Sequence, residues 1–146
     1  MVDILHQVGI QAPAAAVYAA LTTTEGLTGW WTTDTKGDEV VGGVLQFRFE
    51  AGGFDMNVRE LDHGKHVLWE VVDGPEEWIG THVDWELLQA DDRTTVLFRH
   101  LGWREPVEFM HHCSTKWATY LMSLKAQLET GTGAPSPDDV KIDDWD

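Results

Sequence analysis

EPVEFMHHCSTKWATYLMSLKAQLETG, residues 105–131, is the stretch on which the fold turns. Met110, Cys113, Trp117, Leu121, Leu124 and Leu128 recur at intervals of three and four, which sets them on one stripe of a helix. Pro106 suits a first helical position, where a missing N–H leaves no bond unmade. Gly131 is placed to end the helix in a left-handed turn. The roughly 24 residues to Glu129 span about 36 Å at 1.5 Å each. A helix of that length with one apolar face must lie against an equally large apolar surface.

That surface is found upstream. From about Glu39 to Leu101 the apolar period changes to two. Leu45, Phe47 and Phe49 alternate with Gln46, Arg48 and Glu50; the pattern returns at Phe54, Met56 and Val58, at Val67, Trp69 and Val71, at Val83, Trp85 and Leu87, and at Val96, Phe98 and His100. Gly42-Gly43, Gly52-Gly53, Asp62-His63-Gly64-Lys65 and Asp91-Asp92-Arg93 read as turns, and Asp73-Gly74-Pro75 opens a longer loop carrying Trp78. Short strands joined this way make an antiparallel meander with one apolar face. Ahead of it, Asp3–Ile10 reads as a strand, Ala14–Leu21 as a helix behind Pro13, and Thr24–Gly29 as a second short helix, followed by Trp30-Trp31.

The expected class is therefore α+β: a curved antiparallel sheet of six to seven strands around a long C-terminal helix, with two short helices after the first strand. Residues 1–131 form one domain in this reading. Residues 132–146, TGAPSPDDVKIDDWD, read as a loose acidic tail with Trp145 as its one anchor. A helix about 10 Å wide is narrower than six or seven strands spaced about 4.8 Å apart. Part of the sheet's apolar face stays beyond its reach, which leaves room for a cavity. Eight Trp, five Phe and two Tyr exceed the needs of a small core and suit a lined pocket.

The formal net charge of −15 opposes phosphate backbones and anionic headgroups, so neither nucleic acid nor membrane is an expected partner. No stretch approaches the roughly 20 apolar residues of a membrane helix. Cys113 is the single cysteine, so no internal disulfide can form, and nothing resembles a secretion signal. A cytoplasmic location is the expectation.

Strand phase supplies Phe49, Met56, Trp69, Trp85, Phe98 and His100 as ligand-facing candidates. The helix stripe supplies Met110, Cys113 and Trp117. Trp103 and Trp31 come from the ends of the grip, with Trp30 assigned to the small core beneath the short helices. His100 is the expected polar anchor, its alternative being an imidazole packed against the helix. Cys113, on the apolar stripe, reads as a small hydrophobe. His111 and His112 diverge by about 100° and cannot chelate one ion together, so no metal or cofactor is expected. Arg48, Arg59 and Arg99 fall out of phase with the apolar residues and suit an outer ladder with Glu50, Glu70 and Glu86. Gly131-Thr132-Gly133 precedes no helix and is no phosphate loop; Gly-x-Ser-x-Gly is absent. Trp78 and Trp103, in loops at strand ends, suit a gate or a dimer contact.

Ala12-Pro13 with Val17-Tyr18 and Leu21, then Glu25, Leu27 and Trp30-Trp31, the Gly42-Gly43 turn, Val67-Leu68-Trp69-Glu70, Arg99-His100-Leu101-Gly102-Trp103 and the helix stripe from Trp117 follow in a telling order. Over about residues 3–130 the chain resembles the START-like, or SRPBCC, superfamily with its helix-grip fold. Within it the chain is most similar to bacterial proteins related to the activator of Hsp90 ATPase. The resemblance implies binding of hydrophobic small molecules, with cyclases and hydrolases among the members. Where such proteins often carry a histidine and a glycine before the helix tryptophan, this chain has Cys113 and Lys116.

The leading functional expectation is binding of a small hydrophobic or amphipathic molecule between sheet and long helix, without an assigned catalytic residue. Two alternatives stand beside it. One is a cyclase, dehydratase or hydrolase using His100 in the same cavity. The other is a chaperone-linked or homodimeric interaction module contacting through Trp78 and Trp103.

Overall fold

The structure is a computed structural model describing residues 1–146. Seven strands form one antiparallel sheet: β1 (Val2–Ile10), β2 (Asp34–Gly37), β3 (Val44–Phe49), β4 (Gly52–Asp62), β5 (His66–Asp73), β6 (His82–Ala90) and β7 (Arg93–Trp103). Their spatial order is β1-β7-β6-β5-β4-β3-β2. The meander runs straight through, and only β1 is displaced, closing onto the last strand. Helices α1 (Ala14–Thr22) and α2 (Thr24–Trp30) fill the link from β1 to β2, and α3 (Glu108–Thr130) follows the sheet.

Register explains the core. Val83 pairs with His100, Trp85 with Phe98 and Leu87 with Val96, so the inward residues of β6 and β7 stand side by side. Trp69 pairs with Val83 and Val58 with Trp69, carrying the same face into β5 and β4. All of these but Val58 and Leu87 are 1% exposed or less, and the opposite face carries the charges. Arg59 meets Glu70 at 3.4 Å and Arg99 meets Glu86 at 3.0 Å, as the outer ladder requires. Arg48 departs from it: its partner is Asp55, at 2.7 Å, because the β3–β4 hairpin brings Asp55 next to Gln46 and within reach.

Local chemistry fixes the ends of the helices. Thr23 caps α2 by accepting from the Gly26 N–H at 2.9 Å. A Cβ on Gly26 would meet the Ala20 backbone at 2.6 Å, so the absence of a side chain lets α1 and α2 pack at a sharp angle. Gly131 ends α3 in the left-handed conformation (φ 86°) that glycine adopts without strain. The long helix begins at Glu108, two residues later than Pro106 suggests, with Val107 as its cap. Strand β2 was not legible in Asp34-Thr35-Lys36-Gly37: it is a short edge strand with a polar sequence, held by pairing with β3 alone.

The tail corrects a second expectation, that of a loose segment. Ser136 forms a parallel bridge with Thr32, and Ser136 and Asp139 are buried. The reason is a set of fitted polar partners on α3 and at the end of α2, which composition alone does not reveal.

Candidate functional site

The backbone of α3 runs close to β1, α1 and α2, and stays away from β3 and β4. The gap on the β3–β4 side is a cavity of about 280 Å³. Its floor is Trp31, Phe49 and Phe54, its walls are Trp78, Phe109, Cys113, Trp117 and Tyr120, and its mouth is rimmed by Glu50–Gly53 and by tail residues including Asp139, Lys141, Trp145 and Asp146.

Trp31 is the hub of this arrangement. Its ring lies 4.3 Å from Phe47, 5.0 Å from Trp117 and 5.3 Å from Phe54, centroid to centroid. It also stacks on Trp30 at 5.5 Å with planes 8° apart. Chain neighbours usually diverge. Here Trp31, at the C-cap of α2, keeps a right-handed backbone (φ −106°, ψ −72°), and the two rings end up parallel. Trp30 stays beneath, donating its indole N–H to the Ala20 carbonyl at 2.9 Å.

Of the candidates drawn from strand phase, helix stripe and the ends of the grip, the structure brings Trp31, Phe49, Cys113 and Trp117 to the cavity wall. Met56, Trp69, Trp85, Phe98, His100 and Trp103 lie behind it in solid core, and Met110 is half-buried on α3 away from it. Trp85, Phe98 and Trp117 mesh at 4.9 and 4.5 Å between centroids and fill the β6–β7 end. Period two tells which side chains face inward. It does not tell at which end of the sheet they are already covered.

His100 faces inward and is fully buried, but it does not border the cavity. Trp117 Nε1 donates to His100 Nδ1 at 3.1 Å. That fixes the proton on Nε2, which donates to Thr81 Oγ1 at 2.8 Å, and the Thr81 hydroxyl donates onward to the Trp78 carbonyl at 2.6 Å. Both imidazole nitrogens and the Thr81 hydroxyl are thus used. Burial pushes the imidazole down to about 3, so it stays neutral at ordinary pH. Burial likewise pushes the Cys113 thiol up to about 12, outweighing the opposite pull of the nearby Trp78 indole, so no thiolate is at hand.

Trp78 and Trp103, expected at exposed loops, are 5% and 1% exposed. Trp103 ends β7, and Trp78 folds back over Phe54 at 4.4 Å. Neither is available as an exposed contact. Trp78 Nε1 is buried without a hydrogen-bond partner. Trp69, Trp85 and Trp103 share that condition, but among the four only Trp78 borders the cavity.

Sequence reasoning missed the polar end of the cavity. His112, Lys116 and Tyr120 stand at i, i+4 and i+8 on α3, one above the other on a single face. Asp139 accepts from Lys116 Nζ at 2.5 Å, from Lys141 Nζ at 2.8 Å and from the Tyr120 hydroxyl at 3.0 Å. Lys116 also meets Asp146 at 2.7 Å. His112 meets Asp143 at 2.7 Å. Burial alone would raise Asp139, but the bonds from Lys116, Lys141 and Tyr120 outweigh it and bring it down to about 2. Tyr120 moves the other way, raised by burial and by the Asp139 charge. The i, i+4, i+8 spacing was a readable signal. The carboxylates that answer it were hidden in a tail that reads as unstructured.

His112, Asp143 and Asp146 hold ligand-type atoms within 4.8 Å of one another. The Asp146 carboxylate is already committed to Lys116 and to the backbone N–H groups of Ile142 and Asp143, and an ammonium so close disfavours a cation.

A curved antiparallel sheet holding one long C-terminal helix defines the helix-grip class. Residues 11–129 match the family model for Activator of Hsp90 ATPase homolog 1-like protein, and the chain belongs to that family. A solved relative, the Aha1 dimer from Colwellia psychrerythraea determined in solution, is 46% identical, with a TM-score of 0.86 over 91% of this chain and 100% of that one. CalU16 from Micromonospora echinospora, at 20% identity and a TM-score of 0.75 over 92% of this chain and 77% of that one, shares the fold. So does a Staphylococcus saprophyticus protein, at 17% identity and a TM-score of 0.75 over 90% and 95%. No curated protein matches the chain. No helix is long and apolar enough to cross a membrane.

Proposed function

We propose that this protein binds a small, planar, largely apolar molecule in the cavity between α3, the β3–β4 hairpin and the tail. The observation that carries the reading is the cavity itself: about 280 Å³ walled by Trp31, Phe49, Phe54, Trp78, Phe109 and Trp117, with polar groups gathered at one end. Sites for small molecules have this composition, mostly apolar with a few placed polar atoms. The unpartnered Trp78 N–H offers a donor to a ligand acceptor. Binding without turnover is favoured, because His100 has no free nitrogen and Cys113 is held as the thiol.

The test uses 2-naphthylmethanol as probe in calorimetric titration. A compact aromatic of this size should bind with a dissociation constant in the range of roughly 10–1,000 μM. Cys113→Met extends a side chain from the wall into the space and should abolish binding while leaving the far-ultraviolet spectrum intact. Absence of binding to the unaltered protein, or equal binding to the folded Cys113→Met variant, refutes the reading.

A homodimer is a second proposal, supported by the dimeric state of the 46% identical Colwellia relative. Light scattering across a concentration series should give twice the 16.4 kDa chain mass. A monomer at every concentration refutes it.

A further inference from the structure

The tail divides into two parts by how it is held. Residues 133–136 are tied down through backbone atoms. Gly133 N–H donates to Gln127 Oε1 at 3.0 Å, and Ala134 N–H to Ser123 Oγ at 2.8 Å. Ser136 N–H donates to the Trp31 carbonyl at 2.8 Å, and the Ser136 carbonyl accepts from Thr33 N–H at 3.1 Å. Beyond Ser136 no backbone–backbone hydrogen bond joins the tail to any residue before Pro135. Side chains hold that part instead, together with one bond from Lys116 Nζ to the Val140 carbonyl and the packing of Trp145 against Phe109 and His112.

The division of charge is one-sided. The groups that α3 presents at the polar end of the cavity are donors: His112, Lys116 and Tyr120. The groups that answer them are carboxylates of the tail: Asp143, then Asp146 and Asp139, then Asp139 again. The side chains of Lys116, Asp139 and Asp146 are 14%, 4% and 3% exposed, so these pairs lie in a partly dried site where charge interactions are strong. Residues 138–146 carry five carboxylates against one ammonium, Lys141. With that segment in place the cavity mouth is acidic. With it lifted, the helix leaves an ammonium, a phenol hydroxyl and an imidazole facing the same aromatic space.

We infer that Lys116 is the anion subsite of this cavity, that it takes the carboxylate of a small planar aromatic acid, and that Asp139 and Asp146 fill the subsite until such a ligand displaces them. The inference rests on the cavity reading above and adds the ligand's charge and the means of closure. The tail segment acts as a tethered competitor: the residues at 133–136 keep it near, and the contacts beyond them exchange for those of the ligand. The match to the family model stops at residue 129, so the closing segment lies outside the part that defines the family. Occupancy by a tethered carboxylate lowers the apparent affinity for a free one without altering the pocket that receives it.

The experiment compares 2-naphthoate with its neutral counterpart 2-naphthylmethanol by calorimetry on four full-length proteins. These are the unaltered chain, Asp139→Asn/Asp146→Asn, Lys116→Gln, and Lys116→Arg. A charge-assisted bond to an ammonium favours the acid over the alcohol by roughly tenfold to hundredfold. That preference should be full in Asp139→Asn/Asp146→Asn, smaller in the unaltered chain, retained in Lys116→Arg and lost in Lys116→Gln, with alcohol affinity the same in both Lys116 variants. Equal binding of acid and alcohol by Asp139→Asn/Asp146→Asn overturns the anion subsite while leaving the cavity reading intact. No binding of either probe to any protein overturns both. Should Lys116→Gln fail to fold, the acid-to-alcohol ratio in Asp139→Asn/Asp146→Asn against the unaltered chain decides alone. A synthetic DDVKIDDWD peptide that binds Asp139→Asn/Asp146→Asn where naphthoate does not assigns the subsite to an acidic peptide and overturns the small-acid assignment.

Discussion

The two ends of the grip are built differently. At the β6–β7 end, Trp85, Phe98 and Trp117 mesh, and His100 is held there by bonds on both nitrogens. At the β3–β4 end the helix stands off, and the space is covered by a tail held through charges. The same sheet and helix supply both ends, and the distance at which the helix lies from the strands decides which is solid. One helix thus runs from a solid core at one end to an open cavity at the other.

The largest expected effect lies at the solid end. Trp85→Ala should cost about 3–5 kcal/mol in urea unfolding, as a buried aromatic leaves a cavity that its neighbours cannot close. Phe49→Ala, on the half-buried cavity wall, should cost less than about half of that. Equal costs would break the contrast.

His100→Gln should come next, at about 1–3 kcal/mol near neutral pH, because Trp117 Nε1 or Thr81 loses its partner. It also tests a pH dependence. The folded-state value for His100 is depressed to about 3 from an ordinary 6.5. Its contribution is therefore complete above about 6.5 and is lost as pH falls toward 3, because the unfolded chain takes up a proton that the folded chain refuses. The stability profile of His100→Gln should be flatter than the original across that window. An identical slope would show that the imidazole does not remain neutral in the fold.

Smaller, and local, is the response of the tail. Asp139→Asn should raise amide hydrogen exchange in residues 138–146 by tenfold or more, on the order of the opening free energy of a lightly held segment, with core exchange unchanged. The depressed value of Asp139 sets the corresponding acid window. The contacts are complete above about 3.8 and lost as pH falls toward 2. Uniform exchange changes across the chain would mean that tail and core form one cooperative unit. Smallest of all, Arg59→Ala on the outer face should shift stability by less than about 0.5 kcal/mol, since Arg59 is exposed and meets a half-buried Glu70 only at 3.4 Å.

The architecture was legible because it rests on periodicity. The stripe from Met110 to Leu128 and the alternation from Leu45 to His100 are burial patterns, and burial against a large partner leaves few arrangements. The site was legible in part. Trp31, Cys113 and Trp117 could be placed near a gap, since a narrow helix on a broad sheet must leave one. His100 could be turned inward but not given its neighbours, because Thr81 and Trp117 meet it only through register and helix placement. The tail was the least readable. Asp139 and Asp146 look like solubilising charges until Lys116 is placed opposite them, and Lys116 looks like a solvated helix residue until the tail arrives.

The eight tryptophan side chains allow the central claim to be tested in one spectrum. Trp31, Trp78, Trp117 and Trp145 border the cavity, and Trp30, Trp69, Trp85 and Trp103 do not. In a nitrogen–proton correlation spectrum titrated with 2-naphthylmethanol, the indole N–H signals of the first four should move and saturate together, Trp78 most of all because its N–H is unpartnered. The other four should move far less. Shifts largest at Trp69, Trp85 and Trp103, or no saturable shift at any indole, would contradict the account.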